Sequence, residues 1–317
     1  MEFGITMLQK EQHALFRELS SRLNLPMCLA KRNIFRNNEI SIEMDPQNIR
    51  PHMIVLYSME ADINRSLIEL FILLDTLKSN GALTIYLFLS YFPYEKANRR
   101  NEDHSNISSK LMCDLMCEAG ASAIYSVNLL SGSLESMSRN IYNLDAKPVF
   151  VERYRQERLK PFRGTASIIA ADLLDIDAAV KLSHALKIPF SGFLSRKRDP
   201  LTEGRTWHLT CDDIKGRNVL LFANEIETGE TIKTSIQYLY EKSAKDIELV
   251  CVHPKFLITN CSLLKELDHV SLVVTDTIPC LMPEEARINR FEIVSMAPVL
   301  YKSIMELVKH REILANS

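Results

Sequence analysis

The chain has 317 residues, of which 46% are hydrophobic and 25% charged, enough for two soluble globular domains of about 150 residues each. A net charge of -2 gives no electrostatic reason to expect nucleic acid, and the seven cysteines show neither zinc-site spacing nor a disulfide framework. No apolar run approaches the roughly 18 residues of a membrane span, and the N-terminus MEFGITMLQKEQH lacks the apolar core of a signal peptide, so a cytoplasmic protein in a reducing compartment is expected.

Apolar runs of strand length alternate with helical patterns along the chain, which predicts α/β layers around mostly parallel sheets. Met53 to Tyr57 reads as a strand. Asp62 can then cap a helix that carries Ile63, Leu67, Leu70, Leu74 and Leu77 on one face and is closed by Gly81. A strand over Leu83 to Leu89, a helix over Ser108 to Ala119, a strand over Ala123 to Val127 and a weak helix over Leu134 to Ile141 complete the first set. A polar, basic stretch from Glu152 to Arg163 follows, in which Arg153, Arg155, Arg158, Lys160 and Arg163 read as a solvated linker face. The alternation then restarts: strand Ser167 to Ala171, helix Asp175 to Leu186, and strands at Phe190 to Leu194, Thr206 to Thr210 and Val219 to Phe222. A helix over Ile232 to Tyr240, strands over Glu248 to Val252 and Leu272 to Thr275, and a C-terminal helix over Ala297 to His310 close the chain. Two similar halves suggest duplication, with boundaries expected at 1–146 and 147–317. Cys251 and Cys280 abut strands and read as small buried hydrophobes, and His253 reads as a structural turn residue after a strand.

The segment VLLFANEIETGET, Val219 to Thr231, carries the most chemistry. A buried strand, a short Gly/Thr turn and a helix N-terminus aim backbone N–H groups at one point, which suits a phosphate. This segment resembles the phosphoribosyl-binding loop DDxxDTGGT of type I phosphoribosyltransferases and ribose-phosphate pyrophosphokinases. Colinear segments extend the resemblance to the ribose-phosphate pyrophosphokinase family from about Phe35 to Pro279. FRNNEISI (Phe35 to Ile42) parallels FSDGEVSV, and Leu67-Ile68-Glu69-Leu70 with Asp75 and Leu77 follows LMELxxxxDAL. Tyr91-Phe92-Pro93-Tyr94 through Arg99-Arg100 parallels YFGYARQDRR, while His253-Pro254 and Asp276 to Pro279 match HPxFSG and DTIP. The resemblance implies two phosphoribosyltransferase-like domains, with the C-terminal helix packing back on the first. It also implies transfer of the β,γ-diphosphate of ATP to ribose 5-phosphate with magnesium, and an oligomer.

Carried over position by position, the family's site is altered. Ala223 and Asn224 stand for the acid pair that binds the ribose hydroxyls, Glu227 for the third acid, and Glu230 for the second glycine; Thr228, Gly229 and Thr231 are kept. A carboxylate at Glu230 about 5 Å from the 5-phosphate would repel it by roughly 3 kcal/mol per unit charge at an effective dielectric near 20. In the ATP-binding part Glu39 is retained, Asn37 replaces an aspartate, Lys96 replaces an arginine and loses its bidentate fork, and Ala97 and Asn98 replace a glutamine and an aspartate. Asn128-Leu129-Leu130 stands for DLH, whose histidine helps hold the catalytic metal. Asp172 matches the metal-associated acid of PDxGG, with Leu174 and Asp175 at the glycines, where bulk is expected to exclude diphosphate. Arg196 and Lys197 fall on the catalytic lysine region of DKRR, as a basic loop able to grip phosphate.

Two readings follow. In the first, the chain is a homologue with lost or strongly reduced synthesis of phosphoribosyl pyrophosphate, acting as a regulatory or interaction protein, as a homo-oligomer or with an active paralogue. In the second, it is a divergent enzyme that still acts on ATP and a phosphorylated sugar through Asp172, Glu227 and the basic loop. Removing one charge-stabilising donor costs about 10²–10³ in rate, and several are altered together, which favours the first.

Overall fold

The computed structural model describes residues 2–8, 13–95, 107–129, 133–155, 166–198, 205–211, 214–256, 270–279 and 290–315. Contacts divide the chain into two compact units: Met1–Asp145 with Thr277–Pro279 and Met296–Ser317, and Ala146–Asp276 with Cys280–Ser295.

The first unit contains β1 (Phe3–Leu8), α1 (Ala14–Leu23), β2 (Met27–Ile34), β3 (Ile40–Glu43), β4 (His52–Tyr57), α2 (Ile63–Ser79), β5 (Thr84–Leu89), α3 (Ser108–Glu118), β6 (Ala123–Val127), α4 (Ser133–Met137), β7 (Ile141–Leu144) and α8 (Ala297–Ala315). The second contains α5 (Lys147–Arg155), β8 (Ala166–Ala170), α6 (Ile176–Leu186), β9 (Phe190–Arg198), β10 (Arg205–Cys211), β11 (Asn218–Ile226), α7 (Glu230–Glu241), β12 (Ile247–Pro254), β13 (Ser271–Thr275) and β14 (Phe291–Val294). The strand orders are β3-β2-β1-β4-β5-β6-β7 and β10-β9-β8-β11-β12-β13-β14. They are the same order written twice. In each sheet every neighbouring pair is parallel except the edge hairpin, β2 with β3 and β9 with β10.

The central strands are apolar along their length because helices cover both faces of a parallel sheet. Leu221, Leu249 and Leu272 sit side by side in register across β11, β12 and β13, all fully buried. α2 starts where the Asp62 carboxylate accepts the Arg65 N–H at 3.0 Å, and the chain leaves it through Gly81 at φ +98°. α7 buries Ile232, Ser235, Ile236 and Leu239, the spacing of one helical face. In the first unit α8 packs on α1, with Leu300, Ile304 and Val308 buried and Arg22 lying 5.2 Å above the Tyr301 ring.

Several expectations are corrected. β11 runs to Ile226, so Ala223 to Ile226 are strand and not loop, because β12 continues beside them through Glu225↔His253 and Ile226↔Pro254. His253 therefore lies within β12, fully buried, and is no turn residue. β9 extends to Arg198, so Arg196 and Lys197 are paired with Trp207 and Thr206 of β10 and do not form a loop. The stretch read as helix up to Ile141 is the short α4, and Ile141 itself opens β7.

The largest correction concerns the stretch expected to be a solvated linker. Glu152 to Arg155 end helix α5, and Arg153 is turned inward. Its guanidinium donates to both oxygens of Glu248, at 2.9 and 3.3 Å, and to Glu292 at 3.2 Å, and it stacks 4.5 Å from the Tyr154 ring. The buried Tyr154 hydroxyl donates to Glu248, and burial followed by that carboxylate pushes its pKa well up. Arg158, Lys160, Arg163 and Cys280 lie outside the described residues. Arg153→Met would leave Glu248 charged in the interior without its cation, held only by the Tyr154 hydroxyl among the contacts described above. Its unfolding free energy in a urea titration is expected to fall by about 3 kcal/mol, whereas exposed Arg155→Met changes it by less than about 0.5.

Candidate functional site

The second unit builds its candidate site at the carboxyl end of β11, the end of an open parallel sheet where ligands generally dock. After β11 the chain turns through Glu227, Thr228 and Gly229 into α7. Gly229 is at φ +81°, a left-handed conformation that a side chain would strain, and its carbonyl accepts the Lys233 N–H at 2.9 Å to open the helix. Its lack of a side chain leaves α7 without a side-chain cap, so the first-turn N–H groups have no such partner. Glu227, Thr228, Glu230 and Thr231 are exposed around the turn. Glu230 complements the positive end of the helix dipole and competes there with any anion.

Beneath the turn, the polar groups are tied to one another. Asn224 is 2% exposed, inside β11, and its N–H donates to the Asp175 carboxylate at 2.9 Å. Asp175, 6% exposed, ends a 3₁₀ turn, Leu173–Asp175, that Asp172 opens by accepting the Leu174 N–H at 3.1 Å. The side chain at this glycine position thus reaches inward and fastens one loop of the resemblance to the other. On the far side the Lys255 ammonium lies 2.9 Å from the buried Glu225 carboxylate and 3.6 Å from Glu227. Lys255 itself is 9% exposed. Cys251, beside Ala223 in register, is fully buried, and burial followed by the Asp175 and Glu225 charges raises its thiol pKa well above the ordinary range.

The structure thus brings Asp172 and its turn together with Asn224 through Asp175, and sets Glu227, Thr228 and Gly229 in the adjoining turn and Thr231 in the first turn of α7. Arg196 and Lys197 stand on β9, separated from β11 by β8. Asp172 is exposed, and among the described residues no group of three or more His, Cys, Asp or Glu is arranged to hold a metal ion. One oxygen of the Asp172 carboxylate caps the 3₁₀ turn, and its exposed carboxylate is the group that would hold the magnesium the resemblance implies, together with water and substrate oxygens. Leu130 lies outside the described residues.

In the first unit, Asn37 and Glu39 occupy the exposed turn between β2 and β3, where the Asn37 carbonyl oxygen accepts the Glu39 N–H at 3.2 Å and Asn38 adopts φ +66°. Lys96 lies outside the described residues. The topological counterpart of the phosphoribosyl turn is the β4–α2 connection, and it holds a network that sequence reasoning missed. Arg32 on β2 donates to Glu69 at 2.8 Å and to Glu60 at 2.9 Å. Arg65 also binds Glu60, and the buried Tyr57 hydroxyl donates to the Ser66 carbonyl at 2.8 Å and to Glu69 at 3.2 Å. Burial works against the charge on Arg32, but the Glu69 and Glu60 hydrogen bonds raise its pKa further and keep it protonated. A signal was available: Glu69 is a lone acid among Leu67, Leu70, Leu73 and Leu74 on the inward face of α2. A cavity of about 390 Å³ lies at the opposite, amino end of β12 to β14, beside the paired Arg153, Glu248 and Glu292.

The twice-repeated α/β unit, each with a strand-turn-helix at its sheet end, defines a protein of two phosphoribosyltransferase-like domains. The N-terminal domain of ribose phosphate pyrophosphokinase, as a family description, matches residues 5–120. The ribose-phosphate pyrophosphokinase of Clostridium perfringens is 25% identical over 296 residues, covering 92% of this chain and 90% of that one. The enzyme of Bacillus caldolyticus is 23% identical over 300 residues, 94% and 93% of the two chains. The crystal structure of phosphoribosylpyrophosphate synthetase from Mycobacterium smegmatis superposes with a TM-score of 0.85 at 23% identity, over 98% of this chain and all of that one. Over more than nine-tenths of its length the chain is similar to ribose-phosphate pyrophosphokinases.

The Lys255–Glu225 pair gives a direct test of how the loop is held. Lys255→Met, which strands Glu225, is expected to lower stability by about 3 kcal/mol. The double variant Lys255→Met with Glu225→Met is expected to recover more than half of that loss in the same denaturant titration, since the two groups act on each other.

Proposed function

We propose that this homologue has lost, or kept only a small part of, the synthesis of phosphoribosyl pyrophosphate and serves as a regulatory or interaction subunit, as a homo-oligomer or in a hetero-oligomer with an active paralogue. The observation that carries the reading is the hydrogen bond from the Asn224 N–H to buried Asp175, together with the Lys255 clamp on Glu225 and Glu227. Donors and acceptors at the end of β11 are engaged with the chain itself. A ribose 5-phosphate would have to displace internal partners and leave buried charge unpaired, at a cost of several kcal/mol.

Position-by-position chemistry supports the same reading. Ala223 accepts no hydrogen bond from a ribose hydroxyl, and Asn224 offers no charge. Phosphoryl transfer relies on positioning and on charge stabilisation at the oxygens. Asp172 would hold the magnesium that supplies such stabilisation, whereas Leu130 offers no ligand at the position matched to the family's metal histidine. The exposed Thr228 and Thr231, on either side of buried Gly229 and with the α7 N-terminus behind them, remain suited to a phosphate. They make weak anion binding the residual capacity of the domain. A cytoplasmic location fits the free thiols of Cys28, Cys113, Cys117 and Cys251.

Calorimetry with ribose 5-phosphate is expected to give no saturable heat that depends on magnesium. AMP release from ATP with ribose 5-phosphate is expected at least about 10²-fold below that of an active homologue assayed alongside, the scale of losing one stabilising group. Brisk conversion by the purified chain would overturn the proposal. Pull-down of the tagged chain with an active homologue from the same cells, followed by assay of the complex, separates the homo-oligomer from the mixed one.

A further inference from the structure

Helix α2 ends in the chain's one Asn–Gly step, Asn80–Gly81, apart from the residues of the candidate sites. Both residues are exposed. In such a step the following backbone nitrogen reaches the asparagine side-chain carbon through a five-membered ring, and a glycine offers no side chain to crowd that approach. A Cβ built at Gly81 would meet nothing within 4 Å, so its surroundings are open as well. The fold itself asks for glycine here: the chain leaves the helix at φ +98°, where any side chain is strained.

Two hydrogen bonds restrain the reacting groups. The Asn80 side-chain amide donates to the Thr76 carbonyl at 2.8 Å, and the Gly81 N–H donates to the Lys78 carbonyl at 3.2 Å. With Asn80 at φ -100° and ψ 19°, the Gly81 N–H is directed back at the helix and not at the Asn80 side chain. Both bonds lie in the last turn of a helix, and helix ends fray.

We propose that Asn80 is a site of spontaneous deamidation, gated by fraying of the last turn of α2. Once the two hydrogen bonds open, the Gly81 nitrogen attacks the Asn80 side-chain carbon and gives up its proton. The carbon–nitrogen bond of the side-chain amide breaks, and ammonia leaves with that proton. Water then opens the resulting succinimide at either carbonyl, leaving aspartate or isoaspartate. No electrons are exchanged, and water is the co-reactant.

Conversion makes the turn harder to re-form. A carboxylate has no N–H to give the Thr76 carbonyl, and it adds charge at the negative end of the helix dipole. Isoaspartate also adds a backbone carbon between Leu77 and Ala82, whose carbonyl and N–H are joined at 3.1 Å. The turn leads into β5 through Leu83 and Thr84, whose N–H groups both donate to the Pro51 carbonyl, so the change bears on how that strand is anchored.

The test ages the full chain at mildly alkaline pH beside a synthetic peptide spanning Leu77 to Thr84, with both mapped by mass spectrometry. The full chain is expected to gain one mass unit at Asn80, as aspartate and isoaspartate. Two hydrogen bonds of ordinary net strength make its conversion about 30-fold slower than that of the peptide. Asn80→Gln is expected to suppress the product at this position. Asn80→Asp, one product made directly, is expected to melt below the wild type. A full chain that converts as fast as the peptide, one that keeps Asn80 intact after ageing long enough for that slowing, or an Asn80→Asp variant that melts with the wild type would overturn the proposal.

Discussion

The carboxylate of Asp175 takes the backbone N–H of Asn224 inside the sheet, and the arrangement of the second domain's candidate site depends on that contact. In the resembling family the turn before α6 and the turn after β11 are two separate grips on substrate. Here one buried aspartate, at a position where the family has glycine, ties the turn before α6 to the end of β11. A glycine offers a diphosphate its backbone, whereas an inward aspartate spends the same space on protein and brings a negative charge with it. Lys255 adds to the effect from the other flank. Its ammonium is held by Glu225 at 2.9 Å, so its charge is already matched before any anion arrives.

Much of the architecture could be read from the chain because buried parallel strands advertise themselves. β4, β5, β6, β8, β11 and β12 are runs of apolar residues with turn signals at their ends, and α2 and α7 have clear one-sided spacing. Edge elements were harder. β2, MCLAKRNI, has one face toward solvent, with Cys28 and Ala30 buried and Leu29 and Lys31 exposed, and β1 holds Gly4 where a Cβ would approach Arg50 Cγ and Met53 Sδ to 2.9 Å. β7 and β14 are only four residues each, and neighbouring strands define them more than their own composition does. The basic stretch near Arg153 misled because charge was taken as exposure. Arginine is buried when its fork is answered, and the answering acids, Glu248 and Glu292, come from β12 and β14, far away in sequence.

The same limit applied to the candidate site. The turn at Thr228 and Gly229 and the loss of the acid pair were legible from local pattern, since each depends on neighbours in sequence. Partners from other segments were not: Asp175 with Asn224, and Lys255 with Glu225, join residues 49 and 30 positions apart. Nothing in either segment alone specifies the other. The Arg32 network in the first domain has the same character, with partners at separations of 28 and 37.

Placed side by side, the two domains show one physical solution used twice. An open parallel sheet leaves a polar crevice at the carboxyl ends of its strands, and that crevice must be satisfied by a ligand, by water or by the protein. In the first domain Arg32 satisfies Glu60 and Glu69 beside the β4–α2 turn; in the second, Lys255 satisfies Glu225 and Glu227 beside the β11–α7 turn. A charge supplied by a side chain is present at all times and comes with no transferable group. Internal pairs of this kind brace the sheet ends without a ligand. Changing either acid or its resident partner alone leaves the other competing for a new one, so the pairs respond to substitution as units.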